Sequence, residues 1–541
     1  MPERAPAAFV DLVTTAERRD RFVATGHWDD QTLAGRAALH AVERPASIAV
    51  IDEGGRYSFG RLAVDAAALA GWMAERGVGP GRVVSIQLPN RYELVVAAVA
   101  AQSLGAVVNP LLPNYRAREL VNVFTTVRPA VVLTPAVHRD FDHRDLIAEV
   151  TAASATAPAH VVVGGRPGPG GVAFEEAAAG GGRLAAGRAD AVSEVIFTSG
   201  TEARPKAIMH TEQTANFSVR VAYSDLEMTG SDVVWMPSPM GHSTGFNYGM
   251  RFAVYHGLPL VLQDRWDADA AAEWISRERC SYTLAATTFL GDLVASAGRT
   301  GADLSSMRAF GCGGAPVPPP LVDAAAGCGI QVLRLYGSTE VLVGTWNRPT
   351  TAIDQRRHSD GRSMSHVETR ACDEEGRPVG LGEEGELHVR GPNTCVGFFD
   401  DPDRTAQTFL PDGWVRSGDV VTIDADGYVT VVGRRKEILI RGGLNIAPRE
   451  IEELLLQFDE VAQAAVIGLP DDRLGERMCA CVVLAGDATL TLDVTVDRLR
   501  RHGLATYKLP ERLEICDSLP MTASGKVQKH VLVDNLTGGP R

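Results

Sequence analysis

The sequence predicts a multidomain α/β protein. A large N-terminal domain of parallel and mixed sheets flanked by helices, with a β-subdomain, precedes a small α+β domain. Three observations carry this expectation. The chain has 541 residues, more than one hydrophobic core normally organises. Its first part alternates β-branched apolar runs with helix-like segments, the rhythm of parallel sheets covered by helices. Past roughly residue 380 the texture changes to short alternating runs separated by Asp-Gly or Gly-Gly, which are hairpin signals.

Taken in order, "RVVSIQLPN" (82–90) is apolar, β-branched and stopped by Pro89, and reads as a strand. "RYELVVAAVAAQSLG" reads as a helix closed by Gly105. The apolar run from Leu94 to Val108 is broken by Gln102, Ser103 and Gly105. It is too short to span a bilayer and fits a buried helix running into a strand. "AVVNPLL" and "PAVVLTP" follow as short strands. The glycine-rich stretch from Val161 to Gly187 is expected to be a surface loop between subdomains. "SEVIF" (193–197) is a strand that runs directly into "TSGTEARPKA". Further on, "GELHVRG", "VVTIDADGYVTVVGR" and "KEILIRGG" form hairpins. In "NIAPREIEELLLQF", Pro448 suits a first helical position, Glu450 and Glu452 suit a first turn, and Ile451, Leu454 and Leu455 form a buried stripe. "AQAAVIGLPDD", "CACVVL" and "RLEICDSLP" add strands, so a small α+β domain begins near Lys436.

Composition narrows the function class. The chain is 45% hydrophobic and 22% charged, as in soluble globular proteins, and its formal net charge is −14. That charge argues against nucleic acid and against anionic membrane surfaces as partners. The eight cysteines are scattered without CxxC spacing, which fits reduced thiols in a cytoplasmic protein. Cys479 and Cys481 would share one face of a strand, as buried residues. The opening "MPERAPAAFVDLVTTAERRDRF" holds no apolar run long enough for a signal peptide.

Five segments carry chemistry-bearing residues. The loop after Phe197 offers the hydroxyls of Thr198, Ser199 and Thr201, the backbone of Gly200 and the charge of Lys206. Such a set binds phosphate oxygens, although the P-loop pattern is not met. "YGSTE" (336–340) ends in Glu340, a carboxylate available to a divalent metal. "GWVRSGD" puts Asp419 after a tight turn, where a carboxylate can accept ribose hydroxyls. "GRRKEILIRGG" concentrates positive charge, and "LPMTASGKVQKH" holds Lys526 in a polar loop. Each alone is compatible with a cap, a turn or a solvated loop.

Their order and spacing together resemble the adenylate-forming (ANL) superfamily of acyl-CoA synthetases, peptide-synthetase adenylation domains and luciferases. The resemblance runs from "GVGPGRVVSIQLPN" through "YGSTE", "GELHVRGPNTCVGFFDDPDRTAQTF", "DGWVRSGD" and "GRRKEILIRGGLNIAPREIE" to "TASGK". "MPSPMGHSTGFNYG" and "CSYTLAATTFLGDLV" are most similar to the branch that activates medium-chain and alicyclic acids such as cyclohexanecarboxylate.

The resemblance implies two half-reactions. A carboxylic acid and ATP give acyl-AMP and pyrophosphate, and a thiol, usually CoA, then displaces AMP. The small domain (436–541) rotates against the large one (1–435) about Lys436. Lys526 would contact the carboxylate and α-phosphate, Thr339 would touch the α-phosphate, and Glu340 would hold Mg²⁺. Asp419 would bind the ribose with help from Arg434. Gly313, Gly314 and Ala315 would sandwich adenine with Tyr336, beside Gly337 and Ser338. Thr198, Ser199, Gly200, Thr201 and Lys206 would face the phosphates. His242 would line the carboxylate end of an acyl pocket walled by Trp235, Phe246, Thr287 and Thr288. Arg441, Gly442 and Gly443 would serve the pantetheine arm.

The chain also departs from the family pattern. Ala203 and Ala207 stand where relatives usually carry glycine, and Glu202 replaces a commoner hydroxyl. A methyl there would crowd a phosphate held against the backbone and penalise a positive φ. "GRSMSHVE" (361–368) shows serines and a histidine in place of proline and glycine. The altered positions fall where β- and γ-phosphates would sit, and the AMP-side residues are intact. Two readings therefore stand beside each other. One is a complete ATP-dependent ligase for a medium-chain, alicyclic or polycyclic acid. The other is a ligase that takes preformed acyl-AMP from an upstream adenylating enzyme and only makes the CoA thioester. Transfer to a carrier protein and a non-catalytic ligand-binding protein are further alternatives.

Overall fold

In the computed structural model the described residues are 13–198, 205–315, 317–434, 437, 439–441, 444–471, 475–502, 504, 506–522 and 526–538. Ser199, Gly200, Thr201, Glu202, Ala203, Lys436, Gly442 and Gly443 lie outside them.

Among the described residues two large sheets form the N-terminal body. One has seven strands in the order Lys206–Thr211, Val192–Thr198, Val107–Pro110, Val83–Ile86, Val131–Pro135, Ala159–Val163 and Gly171–Ala173. All pairings are parallel except the hairpin of the first two. The other has nine strands, parallel from Ile48–Asp52 through Val332–Ser338 and antiparallel at both margins. This is the parallel and mixed arrangement expected of an apolar, β-branched first half.

Helices pack on both sheets. Phe59–Ala74 starts at the Ser58 cap, whose hydroxyl accepts from the Arg61 N–H. Phe59, Leu62, Ala66, Leu69 and Met73 recur at helical spacing and are fully buried. The helix Tyr92–Ser103 is buried at every position except Glu93, and from Leu94 to Ala101 it is apolar on all sides. Gly105 follows it with φ +68°, and the strand Val107–Pro110 comes next, as the sequence predicts.

The glycine-rich stretch differs from the expected plain loop. It contains the end of the strand Ala159–Val163, the edge strand Gly171–Ala173 and the short helix Phe174–Ala177. Its later glycines permit close approach: a Cβ on Gly182 would lie 1.9 Å from the Ala67 carbonyl oxygen. Composition shows the glycines but not the helix backbone they pack against.

The β-subdomain is a four-stranded antiparallel sheet, Glu368–Cys372, Gly385–Arg390, Val415–Ile423 and Val429–Arg434. The C-terminal part builds a separate sheet from Leu439–Arg441, Leu444–Ile446, Val461–Asp471, Gly475–Leu484 and Arg512–Ile515. Its helix Pro448–Leu455 buries Ile451 and Leu455 fully, while Leu454 is half-buried. Cys479 and Cys481 share one buried face with their sulfurs 3.9 Å apart.

Arg449 of this part reaches the body and pairs with Asp360 at 3.5 Å. Asp360 also accepts from Arg334 at 3.0 Å and from the Val431 N–H at 2.9 Å. Burial opposes its charge, but Arg334 and Arg449 hold its carboxyl below the usual range.

Candidate active site

The strands Val192–Thr198 and Lys206–Thr211 face each other with Thr198 opposite Lys206 and Phe197 opposite Ala207. Thr198 and Lys206 therefore form the last pair of this hairpin ladder. Lys206 extends its ammonium to Glu340 Oε1 at 3.4 Å, over the Phe398 ring. Ala207 turns the other way. It is buried in the apolar layer with Phe197 and Val396, its carbonyl accepts from the Phe399 N–H, and it is not among the residues with positive φ. Its methyl therefore does not face the phosphate side, which corrects the steric expectation at this position. Alternation along a strand produces the reversal, because Lys206 and Ala207 must point to opposite faces.

Tyr336 and Asp419 come from different sheets. The Tyr336 hydroxyl donates to Asp419 Oδ2 at 2.7 Å, and Arg434 Nε donates to Oδ1 at 3.0 Å. Arg434 is Asp419's cross-strand partner in the β-subdomain, so strand pairing places this contact. Burial, and then the Asp419 charge, raise the Tyr336 phenol well above its ordinary pKa. Gly337 is required by its neighbours: a Cβ would lie 2.4 Å from the Leu342 carbonyl oxygen, opposite Ser338. Gly313 is similarly confined, 2.4 Å from the Leu335 oxygen.

Thr339 and Glu340 form the turn between Val332–Ser338 and Leu342–Trp346. The Thr339 carbonyl meets His210 Nε2 at 2.8 Å, and the Glu340 carbonyl accepts from the Cys395 N–H at 2.7 Å. Leu342 has φ +54°, a costly conformation for a branched side chain. His210, Cys395 and Leu342 were not legible as site residues, since nothing local distinguishes a strand histidine that packs from one that braces.

Lys526 belongs to the C-terminal part and is tied there to Thr522. Its N–H bonds Thr522 Oγ1 at 3.0 Å and its carbonyl accepts from the Thr522 N–H at 2.7 Å. The side chain crosses to the body: a Cβ on Gly314, which has φ +82°, would lie 3.5 Å from Lys526 Cε. Ala315 follows, half-buried. Burial and the nearby Arg434 cation lower the Lys526 pKa, opposed by Asp419, Glu340 and Glu437.

His242 sits at the entry of a π-helix, Thr244–Arg251. Its Nδ1 accepts from the Thr244 N–H at 3.3 Å, which leaves the ring proton on Nε2. Burial, and then Lys526, push its pKa down to about 4. The preceding segment is clamped by Asn90, which donates to the carbonyls of Met236 and Ser238 and accepts from the Met240 N–H. The π-helix is anchored by Arg251, fully buried between Glu194 and Glu212.

The expected acyl wall is only partly assembled. Phe246 is fully buried on the π-helix side of the sheet. Trp235 points to the opposite face, against Phe310 and Trp266, and is a core residue there. Thr287 opens a helix and lies 3.7 Å from Cys312 Sγ, whereas Thr288 is exposed. Arg441 is engaged by Glu511 within its own domain. The departure at 361–368 has a structural role: Ser365 bonds Asp225 through N–H and hydroxyl, beside Arg348 and Trp346. Among the described residues no three His, Cys, Asp or Glu side chains converge on a metal, and no helix is long and apolar enough to cross a membrane.

The family model for AMP-binding enzymes matches residues 38–399, and that for the AMP-binding enzyme C-terminal domain matches residues 450–526. The chain is 35% identical to a medium-chain fatty-acid–CoA ligase of Escherichia coli (strain K12), covering 97% of this chain and 94% of that one. It is 34% identical to a 2-hydroxy-7-methoxy-5-methyl-1-naphthoate–CoA ligase of Streptomyces carzinostaticus, with 98% and 97% covered. Its fold matches ATP-bound MatB from Rhodopseudomonas palustris with TM-score 0.84 and 27% identity, over 94% of this chain and 99% of that one. With both family models matched, and with relatives above 30% identity covered over nearly their whole length, the chain belongs to the AMP-binding enzymes, the adenylate-forming superfamily of acyl-CoA ligases and their relatives.

Proposed function

We propose that this chain is a complete ATP-dependent acyl-CoA ligase that activates a medium-chain, alicyclic or polycyclic carboxylic acid. The observation that carries the reading is the position of Lys526, laid along Gly314 and facing the charges of Asp419 and Glu340. A cation there offsets negative charge as the acid's carboxylate oxygen bonds to the α-phosphorus and pyrophosphate leaves. His242, neutral and with its proton on Nε2, offers a donor to the carboxylate. Tyr336, Asp419 and Arg434 form the ribose and adenine side. Thr339 reaches the α-phosphate, with Thr198 and Lys206 on the phosphate side. In the second step the CoA sulfur bonds to the acyl carbon and AMP leaves.

Among the described residues Glu340 belongs to no cluster of three or more metal-ligating side chains, so a divalent cation there would take ligands from phosphate oxygens and water as well. When bound, that ion would neutralise phosphate charge; Lys206, now paired to Glu340, is within reach of the same phosphates. We assign residues 1–435 and 436–541 as the two moving domains with Lys436 as hinge. In this arrangement Lys526 faces the nucleotide side, which fits adenylation, and Arg449–Asp360 is a contact that rotation would open. Arg441, Gly442 and Gly443 would serve the pantetheine arm after rotation.

The reading restricted to preformed acyl-AMP loses the support of Ala207, whose methyl faces the core, and keeps that of Ala203 and Glu202. The test is a panel of medium-chain, alicyclic and polycyclic acids with ATP, Mg²⁺ and CoA, with acyl-CoA detected by mass. Acyl-CoA formation from at least one acid supports the proposal. Acyl-CoA only when acyl-AMP is supplied assigns the restricted reading, and thioester only on a carrier protein assigns that acceptor.

A further inference from the structure

His210 lies four residues beyond Lys206 on the same strand, and its side chain is fully buried. Both ring nitrogens are engaged: Nε2 with the Thr339 carbonyl at 2.8 Å and Nδ1 with Thr214 Oγ1 at 3.0 Å. A carbonyl can only accept, so the proton resides on Nε2. Thr214 Oγ1 accepts from the Thr211 N–H at 3.1 Å, and its one hydroxyl hydrogen is shared between Nδ1 and the Thr211 carbonyl, also 3.1 Å away. Burial lowers the His210 pKa, with Glu194 opposing, and the ring is neutral. An aliphatic side chain would fill this space equally well, but it would leave the Thr339 carbonyl without its donor.

That carbonyl belongs to the turn holding the Thr339 hydroxyl and the Glu340 carboxylate. Beyond the Cys395 N–H that bonds the Glu340 carbonyl, the turn is braced further along: Asn393 donates to the carbonyls of Val341 and Val343, and Tyr248 accepts from the Val343 N–H. The Asn393 and Tyr248 contacts flank the strained Leu342. His210 holds the Thr339 carbonyl, and with it the Thr339–Glu340 peptide plane that sets the directions of both functional side chains. The histidine is itself fixed, because its cross-strand partner Glu194 is locked by Arg251 and Asn247.

We propose that His210 is a positioning residue for the nucleotide site, orienting Thr339 and Glu340 through its Nε2–H bond to the Thr339 carbonyl. The inference rests on the ligase reading for the roles of Thr339 and Glu340. Its test separates the two. Calorimetric AMP binding, thermal melting and the Mg²⁺ dependence of ATP–pyrophosphate exchange are compared for the full chain and for His210→Leu and His210→Gln. The glutamine variant keeps an N–H donor of similar reach. For His210→Leu we expect AMP affinity to fall fivefold or more, and half-maximal exchange to require at least fivefold more Mg²⁺. His210→Gln should stay within twofold on both, with the melting temperatures of the two variants alike. Wild-type binding and Mg²⁺ dependence in His210→Leu would overturn the inference, as would an equal loss in both variants, which would indicate packing and not the donor. If the unmodified protein binds AMP but shows no exchange, the complete-ligase reading fails, and the AMP comparison still decides the role of His210.

Discussion

The Tyr336 hydroxyl donates to Asp419 Oδ2 at 2.7 Å and so joins the strand Val332–Ser338 of the nine-stranded sheet to the β-subdomain. Asp419 is 5% exposed and has its other oxygen on Arg434, so its orientation is fixed before any ligand arrives. Tyr336→Phe removes one charge-assisted hydrogen bond, worth about 1.5–3 kcal/mol. AMP affinity should fall about tenfold by calorimetry. Asp419→Ala should abolish detectable AMP binding. Unchanged affinity in both variants would remove Asp419 from the nucleotide site.

Lys526 makes adenylation sensitive to alkali. Burial and Arg434 lower its pKa, so its cation is lost at a lower pH than that of an ordinary lysine. The rate of pyrophosphate exchange should therefore decline with rising pH, starting below the usual lysine range. CoA attack on supplied acyl-AMP should instead rise as thiolate accumulates. Lys526→Ala should remove exchange by about 100-fold or more while sparing acyl-AMP thiolysis, since a preorganised cation commonly contributes about that much. Unchanged exchange would place Lys526 outside the adenylation step, and parallel loss of both activities would show that its role is not confined to that step.

Restoring glycine should have different consequences at the two alanines. Ala207 is in a strand with its methyl in the core, so Ala207→Gly should leave adenylation unchanged and lower stability by about 1 kcal/mol. Thermal melting with the exchange assay reads both effects. A rise in exchange for Ala207→Gly would show that its methyl does impede the phosphates.

Buried imidazoles set the acid response. His160, His242 and His256 have pKa values pushed down to about 4, chiefly by burial. In the unfolded chain they take protons near 6.5. Between about pH 6.5 and 4 the unfolded state therefore binds more protons, so stability is complete above this window and declines as pH falls through it. At pH 5 each contributes a loss of about 2 kcal/mol. Melting temperatures should drop by several degrees from pH 7 to pH 5, and His160→Gln should reduce the slope. A flat profile would show that these rings take protons without unfolding.

The fold was readable where local pattern and tertiary role coincide. The helix Tyr92–Ser103, the strand after Gly105 and the Pro448 helix start all follow from apolar spacing and end signals. The resemblance selected Asp419, Tyr336, Arg434, Glu340 and Lys526, which do converge. Other positions depend on facts that no single segment contains. Trp235 faces the core because alternation in Val234–Met236 gives the π-helix side to its neighbours. Ala207 looked like an obstruction because loop likeness does not reveal that the strand begins at Lys206. His210 became visible only with the Thr339 carbonyl, 129 residues away in sequence, placed against it.

The most direct measurement is ATP–pyrophosphate exchange by the unmodified full chain, with Mg²⁺ and a panel of medium-chain, alicyclic and polycyclic acids, beside AMP release from matching acyl-AMPs and CoA. A complete ligase shows acid-dependent exchange with at least one acid and thioester formation from its adenylate. Absence of exchange with every acid, together with rapid AMP release from acyl-AMP and CoA, would contradict it.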